Sequence, residues 1–320
     1  MADEASPELV QIVAVIVLYQ QSPSESVTVA TLAAALEQTN LVACRVLVYD
    51  NTPHSSSAPV DMSVPEGFRY HHAAENRGLF GAYSAGLTLA REEGCDWLLT
   101  LDQDTALPSD FFRALWPGLM AASADQRIAA IVPHLAEGQR LLSPAYVGVG
   151  RSKPLPRRFG GVPAREARAF NSAALLRVRA IEDIGGFHPC FWLDHLDSWL
   201  HRELFLHGWR MYVLASLQLE HHFSLLNYRE RVSIGHFRNF LMAESAFFDL
   251  YGAWWERALY TLQLGVRVMT QRGRNEPREI QNATRSALMR RLRTGRARRL
   301  IEWRREAGCA ESPAAFKGER

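Results

Sequence analysis

Residues 97–104 read WLLTLDQD, a short and mainly apolar run that ends at Asp102 and Asp104. Such a run is typical of a strand buried on both faces, as in a parallel sheet that is covered by helices. Two carboxylates that flank one residue at a strand end can bind Mg²⁺ or Mn²⁺ through oxygen. The alternative is a turn with two solvated acids, because Asp is common in turns.

The residues before this stretch contain further apolar runs of the same kind. Apolar runs at 12–18 and 42–49 predict strands, and amphipathic segments at 26–38 and about 78–93 predict helices. This alternation predicts an α/β fold with a Rossmann-like, mostly parallel sheet flanked by helices. Ligands of such sheets bind beyond the carboxyl ends of the strands, where Tyr19, Asp50 and the two acids fall.

The residues after Asp104 predict a less regular half and a helical tail. We expect a helix over 108–122, strands over 128–134, 170–178 and 210–218, and a helix that opens within 191–199. Residues 137–164 contain several Gly and Pro, which predicts a mobile loop over the site. We place the domain boundary between 227 and 228, with a helical, Arg-rich appendage over 228–320.

Composition excludes several classes of protein. The chain has 320 residues, 48% of them apolar, and a net charge of +2, so it can build a large core. The N-terminus is acidic, so we expect no signal peptide, and no long apolar stretch occurs, so we expect no transmembrane helix. The four cysteines show no CxxC spacing, so we expect reduced thiols in a cytoplasmic protein, without a disulfide framework or a structural zinc site.

Two further segments at the predicted strand ends suit a nucleotide. Asp50 closes the second strand, where a carboxylate can accept hydrogen bonds from a base or ribose; an Asx-turn is the alternative. Asn76 and Gly78 open a helix, whose N-terminus favours an anion; a plain helix start is the alternative. The chain lacks both the GxGxxG fingerprint and the GxxxxGK[ST] loop, which argues against NAD enzymes and P-loop NTPases.

One segment contains two candidates for a general base. Asp194 and Asp197 are three residues apart, which places them on one face if the segment is helical. Either could act as a general base, whereas the alternative is acids that stabilise a helix N-terminus. His221 and His222 end a predicted strand and point in opposite directions, so at most one could bind a metal or phosphate.

Seven short motifs occur in an order that resembles a known family. They cover residues 15–19, 48–52, 75–78 with Gly81, 101–104, 170–172, 185–187 and 191–197. Together they resemble the inverting family 2 glycosyltransferases of the GT-A fold, and within these the bacterial rhamnosyltransferases. The resemblance spans about residues 10–225, with a nucleotide-sugar half over about 10–135 and an acceptor half over about 136–227.

The resemblance implies a dTDP- or UDP-linked sugar as donor and Mg²⁺ or Mn²⁺ as cofactor. Tyr19 would line the base pocket, and Asp50 would contact the base or ribose. Asp102 would bind ribose or metal, and Asp104 the metal on the diphosphate. Asn76 and Gly78 would lie beside the nucleotide.

The resemblance also implies that a hydroxyl of a glycan or a lipid-linked glycan is the acceptor, in the synthesis of a cell-envelope polysaccharide. Asp197 would be the catalytic base, and Asp194 would shape the acceptor side or take the base role. His221 would bind the metal or diphosphate, with His222 as the fallback. Many members carry a second acid two residues after the base; Trp199 replaces it here and could stack on a sugar.

Other functions remain open at this point. A UDP-hexose or UDP-galactofuranose transferase is the main alternative, followed by a nucleotidyltransferase or a non-catalytic sugar-nucleotide-binding protein. The tail predicts a helix over 237–268 and an Arg-rich run over 285–305. It is either a packed appendage or a peripheral contact with anionic lipid at the inner membrane face. No reading motif accompanies the arginines, so we expect no nucleic acid partner.

Overall fold

The computed structural model describes residues 9–53, 62–148, 152–220 and 233–309. These residues form two compact units. The first, which we call the sheet unit, comprises 9–53, 62–146, 154–187 and 201–220. The second, the helical unit, comprises 147–148, 152–153, 188–200 and 233–309. The predicted boundary at 227/228 therefore differs from the observed division, because residues 188–200 belong with the C-terminal helices.

The sheet unit contains an eight-stranded, mostly parallel sheet. Its long strands are β1 (Val10–Leu18), β2 (Val42–Asp50), β3 (Phe68–His72), β4 (Trp97–Asp102) and β5 (Ile128–Glu137). The other strands of this sheet are β6 (Arg140–Ser143), β10 (Ala174–Arg177) and β11 (Arg210–Glu220). Three short strands lie outside it: β7 (Ala145–Tyr146), β8 (Lys153–Pro154) and β9 (Ala167–Arg168). The order is β11-β5-β10-β4-β1-β2-β3, with β6 paired to β5, and β10 runs antiparallel to both of its neighbours.

Among the described residues, five α-helices accompany these strands. They are α1 (Val27–Glu37), α2 (Gly78–Glu92), α3 (Phe111–Ala124), α4 (Val178–Asp183) and α5 (Leu196–Leu206). Ser26 caps α1, since its hydroxyl accepts a hydrogen bond from the amide of Val29 (3.3 Å). The mostly parallel α/β fold predicted from the alternation of runs is confirmed.

Burial explains why the apolar runs became strands. Residues 12–18 of β1 are all buried, as expected for a strand covered on both faces. The core continues onto α3, where Gly118 lies against β5. A Cβ at Gly118 would come within 2.4 Å of the side chain of Ile131, so only glycine permits this close packing.

Residues 137–164, predicted to be a mobile loop, instead contain β6, β7 and β8 in their described part. Arg157 donates a hydrogen bond to the side chain of Gln218 on β11 (2.7 Å) and another to the backbone oxygen of Gln139 (2.9 Å). Short strands and a bonded arginine therefore organise this segment.

The helical unit contains α6 (Ile234–Tyr251), α7 (Trp254–Gly273), α8 (Arg278–Arg293) and α9 (Arg296–Glu306). The single helix predicted over 237–268 is wrong, because the chain breaks between α6 and α7. A Cβ at Gly252 would lie 2.6 Å from the backbone oxygen of Phe248, so glycine allows this sharp exit. The chain enters α5 at Leu196, within the segment 191–199 where a helix was predicted to open.

A buried ionic cluster joins three helices of this unit. Asp249 of α6 is fully buried and accepts hydrogen bonds from Arg291 of α8 (3.2 Å) and Arg299 of α9 (2.7 and 2.8 Å). Burial lowers the pKa of Arg291, and Asp249 opposes this shift. Part of the Arg-rich run is therefore internal structure.

The helical unit also holds a disulfide that the sequence did not predict. Cys190 and Cys309 are bonded, with Cα atoms 5.7 Å apart, inside the range that disulfides require. The expectation that all thiols are reduced is wrong for this pair, whereas Cys44 and Cys95 are free. Spacing could not reveal the bond because 119 residues separate the two cysteines.

Candidate functional site

The carboxyl ends of three parallel strands meet at one edge of the sheet. In the register of these strands, Leu18 of β1 lies beside Asp50 of β2, and Val17 lies beside Asp102 of β4. The three loops predicted to carry site residues therefore leave the sheet side by side. We call this the strand-end edge.

Hydrogen bonds join the loops at this edge. The backbone amide of Tyr19 donates to the side-chain oxygen of Gln103 (2.8 Å), and the amide of Gln20 donates to the hydroxyl of Thr52 (2.7 Å). Gln20 has a φ of +54°, which directs its amide into this bond. The Tyr19 side chain itself is exposed at 43%, so its ring is available to a ligand.

Asp50 has no exposed surface and is held by two neighbours. Its Oδ1 accepts a hydrogen bond from the amide of Thr52 (2.8 Å), and its Oδ2 accepts one from the hydroxyl of Tyr70 (2.7 Å). The pKa of Tyr70 is raised, mainly because the hydroxyl is shielded from water and secondly because it is bonded to Asp50. The bond to Thr52 is the Asx-turn that the sequence left open as an alternative, and in this structure Asp50 shapes the loop.

Asn76 and Gly78 form a tight turn into α2. Both have positive φ, +44° and +59°, and the Asn76 side chain accepts a hydrogen bond from the amide of Gly78 (3.2 Å). Asn51 of the neighbouring loop donates to the backbone oxygen of Gly78 (3.1 Å). The cap position, Arg77, accepts no hydrogen bond with its side chain, so Asn76 caps the amide of Gly78 and the cap residue itself caps none. The start of α2 therefore lies beside the loop after β2.

The two acids after β4 have different surroundings. Asp102 is half-buried and accepts a hydrogen bond from the hydroxyl of Ser172, whereas Asp104 is exposed. The exit of β4 is fixed by α1, since the hydroxyl of Ser26 donates to the backbone oxygen of Gln103 (2.7 Å). The acids therefore stand on an ordered turn, and Asp104 is the more exposed of the two.

These two acids suit a hard divalent cation. Mg²⁺ and Mn²⁺ are commonly held by one or two carboxylates together with substrate phosphates. Within the described ranges, no group of three or more His, Cys, Asp and Glu side chains could hold a metal alone. His221, the predicted third ligand, and His222, its fallback, lie outside the described residues.

Asp194 belongs to the helical unit and is nearly buried. Its Oδ1 lies 3.0 Å from the Nε2 of His236, and its Oδ2 accepts a hydrogen bond from the side-chain nitrogen, Nδ2, of Asn239. The bond to Asp194 is the main cause that raises the pKa of His236. His236 therefore keeps its proton to higher pH than a free imidazole, and its positive charge beside the Asp194 carboxylate is lost as pH rises through that pKa.

Asp197 lies in the first turn of α5 and is half-buried. Its Oδ1 accepts a hydrogen bond from the amide of Ser198 (2.6 Å). Trp199, two residues later, has no exposed surface, and its ring centre lies 5.5 Å from that of His188. A ring without exposed surface does not stack on a sugar, so Trp199 is a packing residue in this structure.

Sequence reasoning gave no site role to several residues that hold the strand-end loops or the acids in place. Gln103 and Ser172 lie inside quoted motifs, but neither was assigned a contact. His236 and Asn239 lie about 40 residues beyond Asp194, and no local pattern connects them to it. Only the fold brings such partners together.

The sheet order, the antiparallel β10 between β4 and β5, and the acids after β4 are those of the GT-A type of α/β fold. The model of the family described as Glycosyl transferase family 2 matches residues 13–183, more than half of the chain. The chain therefore belongs to glycosyl transferase family 2.

Solved structures resemble the fold at low identity. One is GalNAc-T7 with UDP, GalNAc and Mn²⁺, at 13% identity and a TM-score of 0.52 over 78% of this chain. The chain spans about half of that structure, 51% of its length. Another is residues 1–349 of TarS from S. aureus, at 14% identity and a TM-score of 0.47, covering 93% of this chain and 90% of that one. Comparison with curated proteins gave no match.

Proposed function

We propose that the chain is an inverting glycosyltransferase. It moves a sugar, with rhamnose as the leading candidate, from a nucleotide-diphosphate donor to a hydroxyl of a glycan or lipid-linked glycan. The observation that carries this proposal is the strand-end edge of a family 2 domain, where Tyr19, the start of α2 and Asp104 lie on loops joined by hydrogen bonds.

The donor site is proposed from the chemistry of these loops. The exposed ring of Tyr19 supplies a surface for the base, and the start of α2 at Gly78 supplies amides for an anion. Asp102 and Asp104 would hold Mg²⁺ or Mn²⁺, and a similar fold has been solved with UDP and Mn²⁺. The cation, when bound, neutralises the diphosphate and makes it a better leaving group.

The transfer step is proposed as a single displacement. Asp197 accepts the proton of the acceptor hydroxyl while the hydroxyl oxygen forms a bond to the anomeric carbon of the sugar. The bond from that carbon to the diphosphate breaks, and the nucleoside diphosphate leaves with the electron pair. Attack from the opposite face inverts the configuration, and general base assistance contributes about 10²–10⁴-fold in rate.

Asp104→Asn should remove cation-dependent binding of a nucleotide. For the wild-type chain, we expect UDP or dTDP with Mn²⁺ to raise the melting temperature; ligand at 100 times its Kd contributes about 2.7 kcal/mol. The variant should lose the part of this rise that depends on Mn²⁺. Asp110→Asn, which changes another exposed carboxylate of the sheet unit, is the control and should keep it.

A thermal-shift panel with dTDP-rhamnose, UDP-hexoses and UDP-galactofuranose, each with Mn²⁺, would then rank the donors. If Asp104→Asn shows the same Mn²⁺-dependent rise as the wild type, the assignment of Asp104 to the metal is wrong. If no nucleotide sugar stabilises the wild-type chain, the proposed donor class is wrong.

We also propose that the helical unit contacts an anionic membrane surface. Helix α7 carries exposed apolar side chains at helical spacing, among them Trp254 (75% exposed), Leu262 (64%) and Met269 (67%). Arg272 and Arg274 are exposed at its C-terminal end and would attract anionic headgroups. Within the described part of the chain, no helix has the length and apolar content of a membrane span. A peripheral contact suits a lipid-linked acceptor.

Replacing Leu262 and Met269 together with Ser should reduce flotation with vesicles that contain anionic lipid, because it removes apolar area from the α7 face. The matched control replaces Leu206 (50% exposed) and Met120 (54%) with Ser, which changes the same residue types in the sheet unit. Equal flotation of the two double variants would contradict the membrane contact. Point variants are preferable to truncation near 271, which would remove the partners of Asp249.

A further inference from the structure

Asp194 is held by a cluster of side chains that the proposed mechanism does not use. We define the Asp194 cluster as Asp194, His236, Asn239 and Trp192. The indole N–H of Trp192 donates to the side-chain oxygen of Asn239 (3.0 Å), so the amide nitrogen of Asn239 is directed at Asp194. Asp194 therefore has a partner for each oxygen, and both partners come from α6.

The next residue is held by the same helix. His195 has a φ of +62°, which non-glycine residues rarely adopt and which needs support from its surroundings. Its ring lies between those of Phe240 (centres 5.4 Å apart) and Phe247 (5.8 Å) on α6. Helix α6 thus holds both residues of the turn that leads into α5.

The position of Asp197 depends on this turn. Only His195 and the fully buried Leu196 separate it from Asp194, so a change in the turn moves the first residues of α5. A nearly buried carboxylate that loses a donor would rearrange toward water, because burying an unpaired charge is costly. The two donors of α6 are therefore the polar contacts that keep Asp194 in place.

We propose that His236 and Asn239 are positioning residues for the transfer reaction, which act through Asp194 to fix the turn that carries Asp197. This inference rests on the proposed function. It makes the C-terminal helices a part of the catalytic apparatus rather than an appendage. The donor loops lie in the sheet unit, so changes in the cluster should affect the rate of transfer and not the binding of the donor.

The first test compares four variants in transfer assays. Asn239→Ala and His236→Ala should lower kcat about 10–100-fold with donor KM unchanged, because small displacements of a reacting group are costly. His236→Gln keeps an N–H donor and should recover part of the loss. Arg238→Ala changes an exposed side chain of the same helix and should retain the wild-type kcat. If Asn239→Ala and His236→Ala retain the wild-type kcat, or if donor KM rises with the fall in kcat, the proposal is wrong.

The second test follows the His236 imidazole directly by NMR titration. The wild-type chain should show a His236 pKa above that of a free imidazole, and Asp194→Asn should return it toward the ordinary value. An unshifted His236 pKa in the wild type would mean that the hydrogen bond between His236 and Asp194 does not form in solution, and the proposal would then be wrong. A wild-type chain that binds donor but transfers no sugar would instead overturn the proposed function, whatever the NMR result. The two failures are thus distinguishable.

Discussion

Asp197→Asn is expected to lower the rate of sugar transfer about 10²–10⁴-fold, the usual contribution of a general base. Asn is close to Asp in size, and its oxygen can still accept the hydrogen bond from the amide of Ser198. It cannot, however, accept a proton from the acceptor hydroxyl. Donor affinity, measured by titration calorimetry, should be nearly unchanged, since the proposed donor loops lie in the sheet unit.

A matched control for this variant is Glu279→Gln. Glu279 is an exposed acid in the first turn of α8, as Asp197 is an acid in the first turn of α5. It should keep the wild-type rate. Asp197→Asn with wild-type turnover would refute the base assignment, and Asp194 would then be the next candidate.

Asp249→Ala is expected to destabilise the helical unit by about 3–5 kcal/mol, because it leaves two buried guanidinium groups without their carboxylate. The side chain of Arg291 is only 2% exposed, and that of Arg299 is also nearly buried. Chemical denaturation followed by circular dichroism would measure the free energy of unfolding.

The control for this second prediction is Glu302→Ala, which removes an acid from an ion pair with Arg298 on the surface of α9. Exposed pairs contribute about 0–1 kcal/mol, so the loss should be small. If Asp249→Ala and Glu302→Ala lower the free energy of unfolding equally, the buried ion pairs of Asp249 with Arg291 and Arg299 do not stabilise the contact of the three helices.

Sequence reasoning predicted the sheet well because burial on both faces leaves a clear mark. The apolar runs that became β1 and β4, and the glycine-marked start of α2, follow from local composition alone. The direction of β10 could not be predicted in this way. A buried strand shows the same apolar pattern whether its neighbours are parallel or antiparallel.

Only the part of the candidate site that lies on the loops after the strands could be predicted from the sequence. The meeting of the loops after β1, β2 and β4 follows from parallel topology, and hydrogen bonds such as that from Tyr19 to Gln103 confirm it. The partners of Asp194 and the Cys190–Cys309 disulfide join distant parts of the chain. No residue pattern encodes such pairings, because side chains that meet through packing carry no shared spacing.

The most direct test of the central proposal, transfer of a sugar from a nucleotide-diphosphate donor, is ³¹P NMR of the reaction mixture. The wild-type chain, Mn²⁺, the donor ranked first by thermal shift and a set of glycan and lipid-linked acceptors would be followed over time. We predict acceptor-dependent conversion of the donor to free nucleoside diphosphate, which Asp197→Asn slows about 10²–10⁴-fold. Intact donor in every mixture, or release of pyrophosphate or nucleoside monophosphate instead, would contradict the proposed glycosyl transfer.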